Sequence, residues 1–513
     1  MPAIVTDKFR LLNCDNFIEK ISLGGYYIFL GLPNAAYFDT NWDNIQPDPI
    51  DSELYLNSYR DTILGIKKIT SSDVIRVISN NSWITGKKYD MYRHDYSVYN
   101  LSPIASATRL YDSVYYILNQ DYRVYICLNN GSAPPNQNKG VVSTQQPLHT
   151  DVSPRKESDG YVWKYLYTIS PADVLKFDST DYITVPNNWT TTSDAEISRI
   201  RNNSVDGKIE TILIEKQAQY NYFGTLGGVP IKGDGSGGEA SITFDEESKP
   251  TSIEVTSGGV GYTYATLDLD SILPTLSGEK AIFNVIIPPT GGHGKNIYNE
   301  LGATRALVYS RIENDSTNPD FIVGNQFSRI GIIKDIKAFQ SNANFTQSSG
   351  SGVYAARMDT NTINETLDSK MTQTSSDGIG NLVSFDNTTQ VLRYTQSRDN
   401  YVDTYAVGNV ITIDYNYADS VSGIQSATTY NQSEFNNGAN ITIGINSYPI
   451  DTTFIGSSIV VGAANYYLGQ EFNAGLSSPD INIKSGEIIY VDNRASVTRS
   501  SQQREDIKII LEF

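Results

Sequence analysis

Short runs in which apolar and polar residues alternate recur along this chain, and a period of two predicts strands. Residues 26–30, 123–128 and 161–167 are aromatic-rich strand candidates. In the last of these, Tyr161, Trp163, Tyr165 and Tyr167 share one face, with Val162 and Leu166 on the other. A strand apolar on both faces is expected between two layers, as core. Helix signals lie between these runs. Asp51 is placed to cap a helix carrying Leu54, Tyr59 and Ile63. Ser170 followed by Pro171 reads as an N-cap with proline at the first helical position. Ser193 with Glu196 three residues later has the capping-box pattern.

The texture changes near residue 207. Residues 240–244 and 252–256 alternate, the glycine-rich 257–262 predicts a turn, and 265–269 follows as another strand. Short strands with glycine turns predict a small β-module ending near Ile286, Ile287, Pro288 and Pro289. Residues 290–340 return to the earlier style, with a helix candidate at 298–301 and a strand at 328–333. A Ser/Gly/Asn-rich stretch from Gln340 to Gly352 reads as a linker into a second polar, β-like region. Its clearest strand is 410–414, after a Gly408-Asn409 turn signal. Strands at 487–491 and 506–513 close the chain; in the latter Ile507, Ile509, Leu511 and Phe513 share one face. The expected organisation is a mainly β protein with one discontinuous core and two β-rich insertions. Residues 1–206, 288–340 and 481–513 form the core, and 207–287 and 341–480 are the inserted modules, which fold separately when their ends are close and exposed.

Composition sharpens the class. At 513 residues the chain is too long for one ordinary core. Its 39 % hydrophobic and 19 % charged content suits a folded protein. The 35 tyrosines, with abundant Gly, Asn, Ser and Thr, suit strands, turns and interfaces. A net charge of −18 repels polyanions on average, so no nucleic-acid partner is expected. Cys14 and Cys127 make neither a disulfide framework nor metal-ligand spacing, and two reduced buried thiols are expected. Residues 1–8 hold no apolar signal region, and no apolar run approaches a bilayer span, so cytoplasmic synthesis without membrane insertion is expected.

Candidate chemistry is sparse. His94, His149 and His293 are isolated, with no H-E-x-x-H and no G-x-S-x-G. His94-Asp95 has the residue types of a base and its orienter, but adjacent side chains usually point apart. Gly291-Gly292-His293-Gly294-Lys295 superficially resembles a phosphate loop; Pro289 stands where the first glycine belongs and Asn296 where Ser or Thr belongs. Residues 233–238 read as a glycine turn, and Asp245, Glu246 and Glu247 as an exposed acidic corner without calcium-loop spacing. No catalytic, cofactor-binding or metal site is therefore expected, and no enzymatic role.

Several segments together resemble the gene-eight baseplate wedge subunit family of T-even-type contractile-tailed phages. The segment 3–10 looks like that family's opening strand. Residues 159–167, with Trp163 at their centre, look like its most distinctive motif, and 181–186 follow at the family's spacing. Residues 327–333 resemble a later core strand, and 486–494 with 507–513 resemble the family's ending. The resemblance implies a β-sandwich core with short helical additions, a homodimer within each wedge, other wedge subunits as partners, and no cofactor. It implies residence in the virion's tail baseplate and a role in holding the wedge while the baseplate rearranges on host contact. The two β-rich insertions lie outside the resemblance. A receptor-binding or glycan-cleaving tail protein is the alternative, suggested by the Tyr, Asn and Thr content of the insertions; it lacks the long regular repeats of a fibre. An intracellular enzyme is a further alternative, for which no set of groups in catalytic roles can be assembled.

Overall fold

The computed structural model describes residues 4–32, 42, 44–134, 139–276, 278–315, 318–320, 326–366, 369–376, 378–396, 401–402, 429–430, 434–499 and 503–513. The chain is mainly β, with 42 % strand and 11 % helix, and has many antiparallel sheets. Five α-helices occur among the described residues: α1 (Asp7–Ser22), α2 (Glu53–Asp61), α3 (Pro171–Phe177), α4 (Ala195–Asn202) and α5 (Ile297–Leu301). None is long and apolar enough to cross a membrane. The chain divides into two compact units. One comprises Met1–Ile18, Ile75–Leu307 and Ile510–Phe513; the other comprises Glu19–Val74 and Val308–Ile509.

The first unit is organised by an antiparallel sheet in the order Tyr116–Leu118, Arg123–Asn130, Tyr161–Thr168, Arg155–Lys156. Tyr125 lies opposite Tyr165 and Cys127 opposite Trp163, with bulges on either side that let the large rings fit. Val124 to Leu128, Tyr161, Trp163 and Tyr165 are buried in one cluster, as a strand apolar on both faces requires. A second strand pair, Ile78 opposite Ile183, contributes Ile78, Ile183 and Val185 to the same cluster. Four buried tyrosines satisfy their hydroxyls by donating to backbone carbonyls of other segments. Tyr161 reaches Val141 at 2.8 Å, Tyr125 reaches His149 at 2.7 Å, Tyr167 reaches Thr184 at 2.9 Å and Tyr115 reaches Glu300 at 2.6 Å. Much of the tyrosine content thus belongs to the core, where the ring is buried and the polar tip still finds a partner.

Residues 224–267 form a separate four-stranded sheet in the order Pro250–Val260, Ser236–Phe244, Gly224–Gly233, Ala265–Leu267. It has its own cluster, in which Val229, Ile231, Ala240, Ile242 and Phe244 pack with Tyr220, Tyr262 and Leu269. The strand from Pro250 runs on to Val260, through the glycines expected to turn; the chain reverses after it, where Gly261 takes φ 78°. A two-stranded ribbon, Thr211–Lys216 paired with Ile282–Ile286, stands between this sheet and the first core. Period two sorts its faces. Leu213 and Ile286 join the first cluster, and Ile212 and Val285 join the second.

The second unit contains a five-stranded sheet in the order Ser349–Ser351, Ile63–Lys68, Tyr26–Gly31, Gln326–Lys334, Glu487–Thr498. Tyr26–Gly31 is buried at every position, as befits a central strand. A seven-stranded sheet runs Asn446–Tyr448, Ile441–Ile443, Lys370–Gln373, Gly378–Asp386, Val391–Thr395, Tyr354–Arg357, Leu476–Ser477. Its cluster holds Met371, Leu382, Leu392 and Tyr394. Glu505–Glu512 lies beside Arg305–Ile312, with Ile507 and Ile509 buried and Lys508 exposed between them.

Four local expectations are corrected. The segment 3–10, expected as a strand, runs from residue 7 into α1, because Leu11, Cys14, Phe17 and Ile21 recur at helical spacing and are buried. The cap of α2 is Ser52 rather than Asp51, and Ile63 already lies in the following strand. The side chain capping α4 is Asp194, not Ser193, accepting from the amides of Glu196 and Ile197. The expected linker 340–352 is structured: Phe345 is buried with Tyr27 and Ile66, its carbonyl accepts from the Tyr27 hydroxyl at 2.8 Å, and Ser349–Ser351 adds a strand. Proline-led α3 and its Ser170 cap appear as expected. The strand expected at 410–414 lies outside the described residues.

Candidate functional site

The three histidines occupy three different environments. His94 is partly exposed, and its Nδ1 accepts the backbone N–H of Ile287 at 3.1 Å, where the ribbon ends. Its neighbour Asp95 faces elsewhere. Arg93 donates to both Asp95 carboxylate oxygens, at 2.8 and 2.7 Å, and Asn284 of the ribbon donates to one of them at 2.8 Å. Arg93 also stands 3.6 Å from Glu215 on the other ribbon strand. Burial works to raise the Asp95 carboxyl, but the Arg93 guanidinium prevails and holds it down at about 2. Burial lowers the His94 imidazole, with Asp95 opposing and Arg93 assisting. The pair is therefore not a base and its orienter: His94 is an acceptor for backbone, and Asp95 is the centre of a polar clamp on the ribbon.

His149 is buried, its ring edge-on to Tyr125 at 5.5 Å, and burial lowers its pKa. His293 is 6 % exposed, with Nδ1 2.6 Å from Glu300 Oε1, while Glu300 Oε2 accepts the Gly294 N–H at 2.7 Å. The Tyr92 ring closes over this imidazole, centroids 4.7 Å apart. The glycines around it are conformational. Gly291, Gly292 and Gly294 take φ of 88°, 85° and 88°, and a side chain at 292 would run into the Val205 carbonyl. Trp189 donates to the Gly294 and Lys295 carbonyls at 3.2 Å. The segment that superficially resembles a phosphate loop is thus a pinned turn whose histidine faces inward. Glu210 shares this region. Burial works to raise its carboxyl, but the charges of Lys164, His293 and Lys208 outweigh it and hold it low.

Beyond Asp95 the chain forms a tight turn that presents apolar side chains outward. Ser97 and Asn100 exchange backbone hydrogen bonds at 3.0 and 3.1 Å, and Asn100 Nδ2 donates to the Asp95 carbonyl at 3.2 Å. Tyr99 is 97 % exposed, with Val98 and Leu101 also exposed beside it. The backbone that carries this aromatic is already fixed by its own turn, so contact there would have to order the side chain alone.

The remaining candidates are structural. Cys14 and Cys127 are buried and unpaired with each other, and burial pushes Cys14 up to about 11. The carboxylate of Asp234, in the glycine turn, accepts from Thr263 and Tyr264 and closes that turn. Asp245 accepts the Lys249 N–H at 2.9 Å, with Glu246 and Glu247 exposed beside it. Among the described residues no group of three or more His, Cys, Asp or Glu side chains is placed to hold a metal ion. Sequence spacing gave no warning of Glu300 beneath His293, or of Asn284 and Glu215 against Arg93 and Asp95. Those meetings depend on the ribbon register and the turn at 291–294. No protein-family model matches the chain, and no curated protein is found similar to it.

Proposed function

We propose that this chain is a structural subunit of the baseplate wedge of a contractile phage tail. In this reading it works by binding neighbouring wedge subunits, forms a homodimer within each wedge, and holds the baseplate during its rearrangement on host contact. The observation that carries the reading is the meeting of two segments on which the family resemblance rests. Residues 327–333 and 486–494 lie far apart in sequence yet pair as adjacent antiparallel strands, with Arg329 opposite Asn493, Gly331 opposite Val491 and Ile333 opposite Ile488. Arg329 Nε donates to Asn493 Oδ1 at 2.9 Å across a separation of 164 residues. The tryptophan motif likewise supplies a strand of the first unit that is buried at Tyr161 and from Trp163 to Tyr167. The preordered turn carrying Val98, Tyr99 and Leu101 supports a binding role.

The test is an image reconstruction of an intact tail containing this chain, together with co-assembly of the purified protein with its wedge neighbours. Density for the chain inside each wedge supports the reading. Density only at a fibre tip, with binding on a glycan array, would replace it with the receptor-binding alternative.

A further inference from the structure

The ribbon meets the first core in two ways. Along most of its length the contact is apolar, through Leu213 and Ile286, with the Thr211 hydroxyl donating to the Leu128 carbonyl at 2.8 Å. A second contact is polar, is made by three consecutive residues, and runs from Glu215 near one end of the ribbon to Ile287 just past the other. Arg93 faces Glu215, Asp95 holds Asn284, and His94 Nδ1 takes the Ile287 N–H. Asn284 also donates to Glu215 at 2.9 Å, so the two ribbon strands are tied together at the point where they are gripped.

We propose that Arg93, His94 and Asp95 form a proton-sensitive clamp that seats the ribbon, and with it the 224–267 sheet, on the first core. Arg93 and Asp95 hold their partners across the neutral range as permanent charges. His94 is different, because only the neutral imidazole has a lone pair to offer the Ile287 N–H. Protonation turns that acceptor into a donor and leaves a backbone N–H facing a cation. Among the described residues, the charges that act on His94 are those of Asp95 and Arg93 on its own segment; the ribbon presents Glu215, engaged with Arg93, and the neutral Asn284, engaged with Asp95. Burial disfavours the imidazolium, so the clamp is closed at neutral pH and opens on acidification. The 93–101 segment continues directly into the turn that exposes Tyr99, and Asn100 Nδ2 holds the Asp95 carbonyl at 3.2 Å. A partner pressing on that turn would therefore act on the clamp.

The experiment is hydrogen exchange of the full-length protein at about pH 8 and about pH 5, corrected for intrinsic exchange rates. Wild-type protein, His94→Gln and His94→Ala are compared. In the wild type, protection of the 282–287 peptide should fall about tenfold on acidification, the scale of one lost acceptor for a backbone donor. His94→Gln, whose side-chain carbonyl accepts at any pH, should stay protected at both. His94→Ala should show the lowered protection at both. Peptides from Arg123–Asn130 and Tyr161–Thr168 should not change, which separates the clamp from general acid unfolding. Should His94→Ala fail to fold, Asn284→Ala serves instead: it should lower protection at neutral pH and keep the acid response. Equal wild-type protection at both pH values, or an acid response undiminished in His94→Gln, would overturn the proposal.

Discussion

The Phe29 ring occupies the space that any side chain at Gly331 would need. A Cβ at 331 would fall inside van der Waals contact with Cε1 and Cζ of Phe29 and with the Tyr490 carbonyl. The two residues are direct partners in the pairing of Tyr26–Gly31 with Gln326–Lys334. Gly331→Ala should therefore destabilise the second unit by about 3 kcal/mol through overpacking. Phe29→Leu in the same protein should return part of that loss. Urea unfolding of both single mutants and the double mutant measures the coupling; strictly additive losses would show that the strands simply move apart.

Ile509 tests the closing strand. It is 6 % exposed on the same face as Ile507, between exposed Lys508 and half-buried Ile510. Ile509→Asp would bury a carboxylate without a partner, at a cost on the order of 3–5 kcal/mol. Loss of soluble protein is expected, and a melting temperature equal to wild type would remove this strand from the core.

The small β-module gives a sharper deletion than its sequence boundaries suggest. Excising 210–285 would take away Leu213, which is buried in the first core, and the Thr211 bond to Leu128. That deletion should cost about 2–5 kcal/mol, as removal of a buried leucine does. Excising 218–280 instead keeps the ribbon, whose Lys216 and Ile282 are paired neighbours that a short Gly/Ser turn can join. The second deletion should melt close to wild type and the first well below it, and thermal unfolding of the pair distinguishes them.

His149 makes stability depend on pH. Burial lowers its pKa from the ordinary 6.5, so the folded protein prefers the neutral ring. Its contribution is intact above the unfolded value near 6.5 and is lost as pH falls through the lowered folded value. His149→Phe keeps a ring against Tyr125 and cannot titrate. Its urea midpoint should decline less than that of the wild type between about pH 7 and about pH 5. Parallel declines would assign the acid sensitivity to other groups.

Tyr99 separates folding from binding. At 97 % exposure its removal should leave stability within about 0.5 kcal/mol of wild type. On the proposed wedge role, Tyr99→Ala should nonetheless weaken co-assembly with the neighbouring subunits, measured by light scattering on mixed subunits. Undiminished co-assembly would exclude this turn as an anchor.

The strands were legible wherever alternation or a continuous aromatic run declared them, as in Tyr26–Gly31, Arg123–Asn130 and Tyr161–Thr168. Helix α1 was not, because its exposed side also carries apolar residues, Phe9 and Leu12, which blur the helical stripe of Leu11, Cys14 and Phe17. Phe345 was hidden inside a stretch of Ser, Asn and Gly, where composition reads as linker although one ring fixes it to a core. Nothing near His94 in sequence points to Ile287, since the two meet by a side-chain to backbone hydrogen bond across 193 residues. Pattern finds elements; it does not find what a register brings together.

The tyrosine hydroxyls of the first core carry a mechanical consequence. Tyr161, Tyr125 and Tyr167 reach from the sheet, and Tyr115 from just before its first strand, to carbonyls in other segments, at Val141, His149, Thr184 and Glu300. A hydrogen bond on a rigid ring is a short strut, whereas aliphatic contacts can slide. Force applied at any of those segments is passed to the sheet without first taking up slack. The unit should respond to load as a braced frame, stiff in shear. Replacing these tyrosines by phenylalanine would preserve every packed ring and still make the frame compliant.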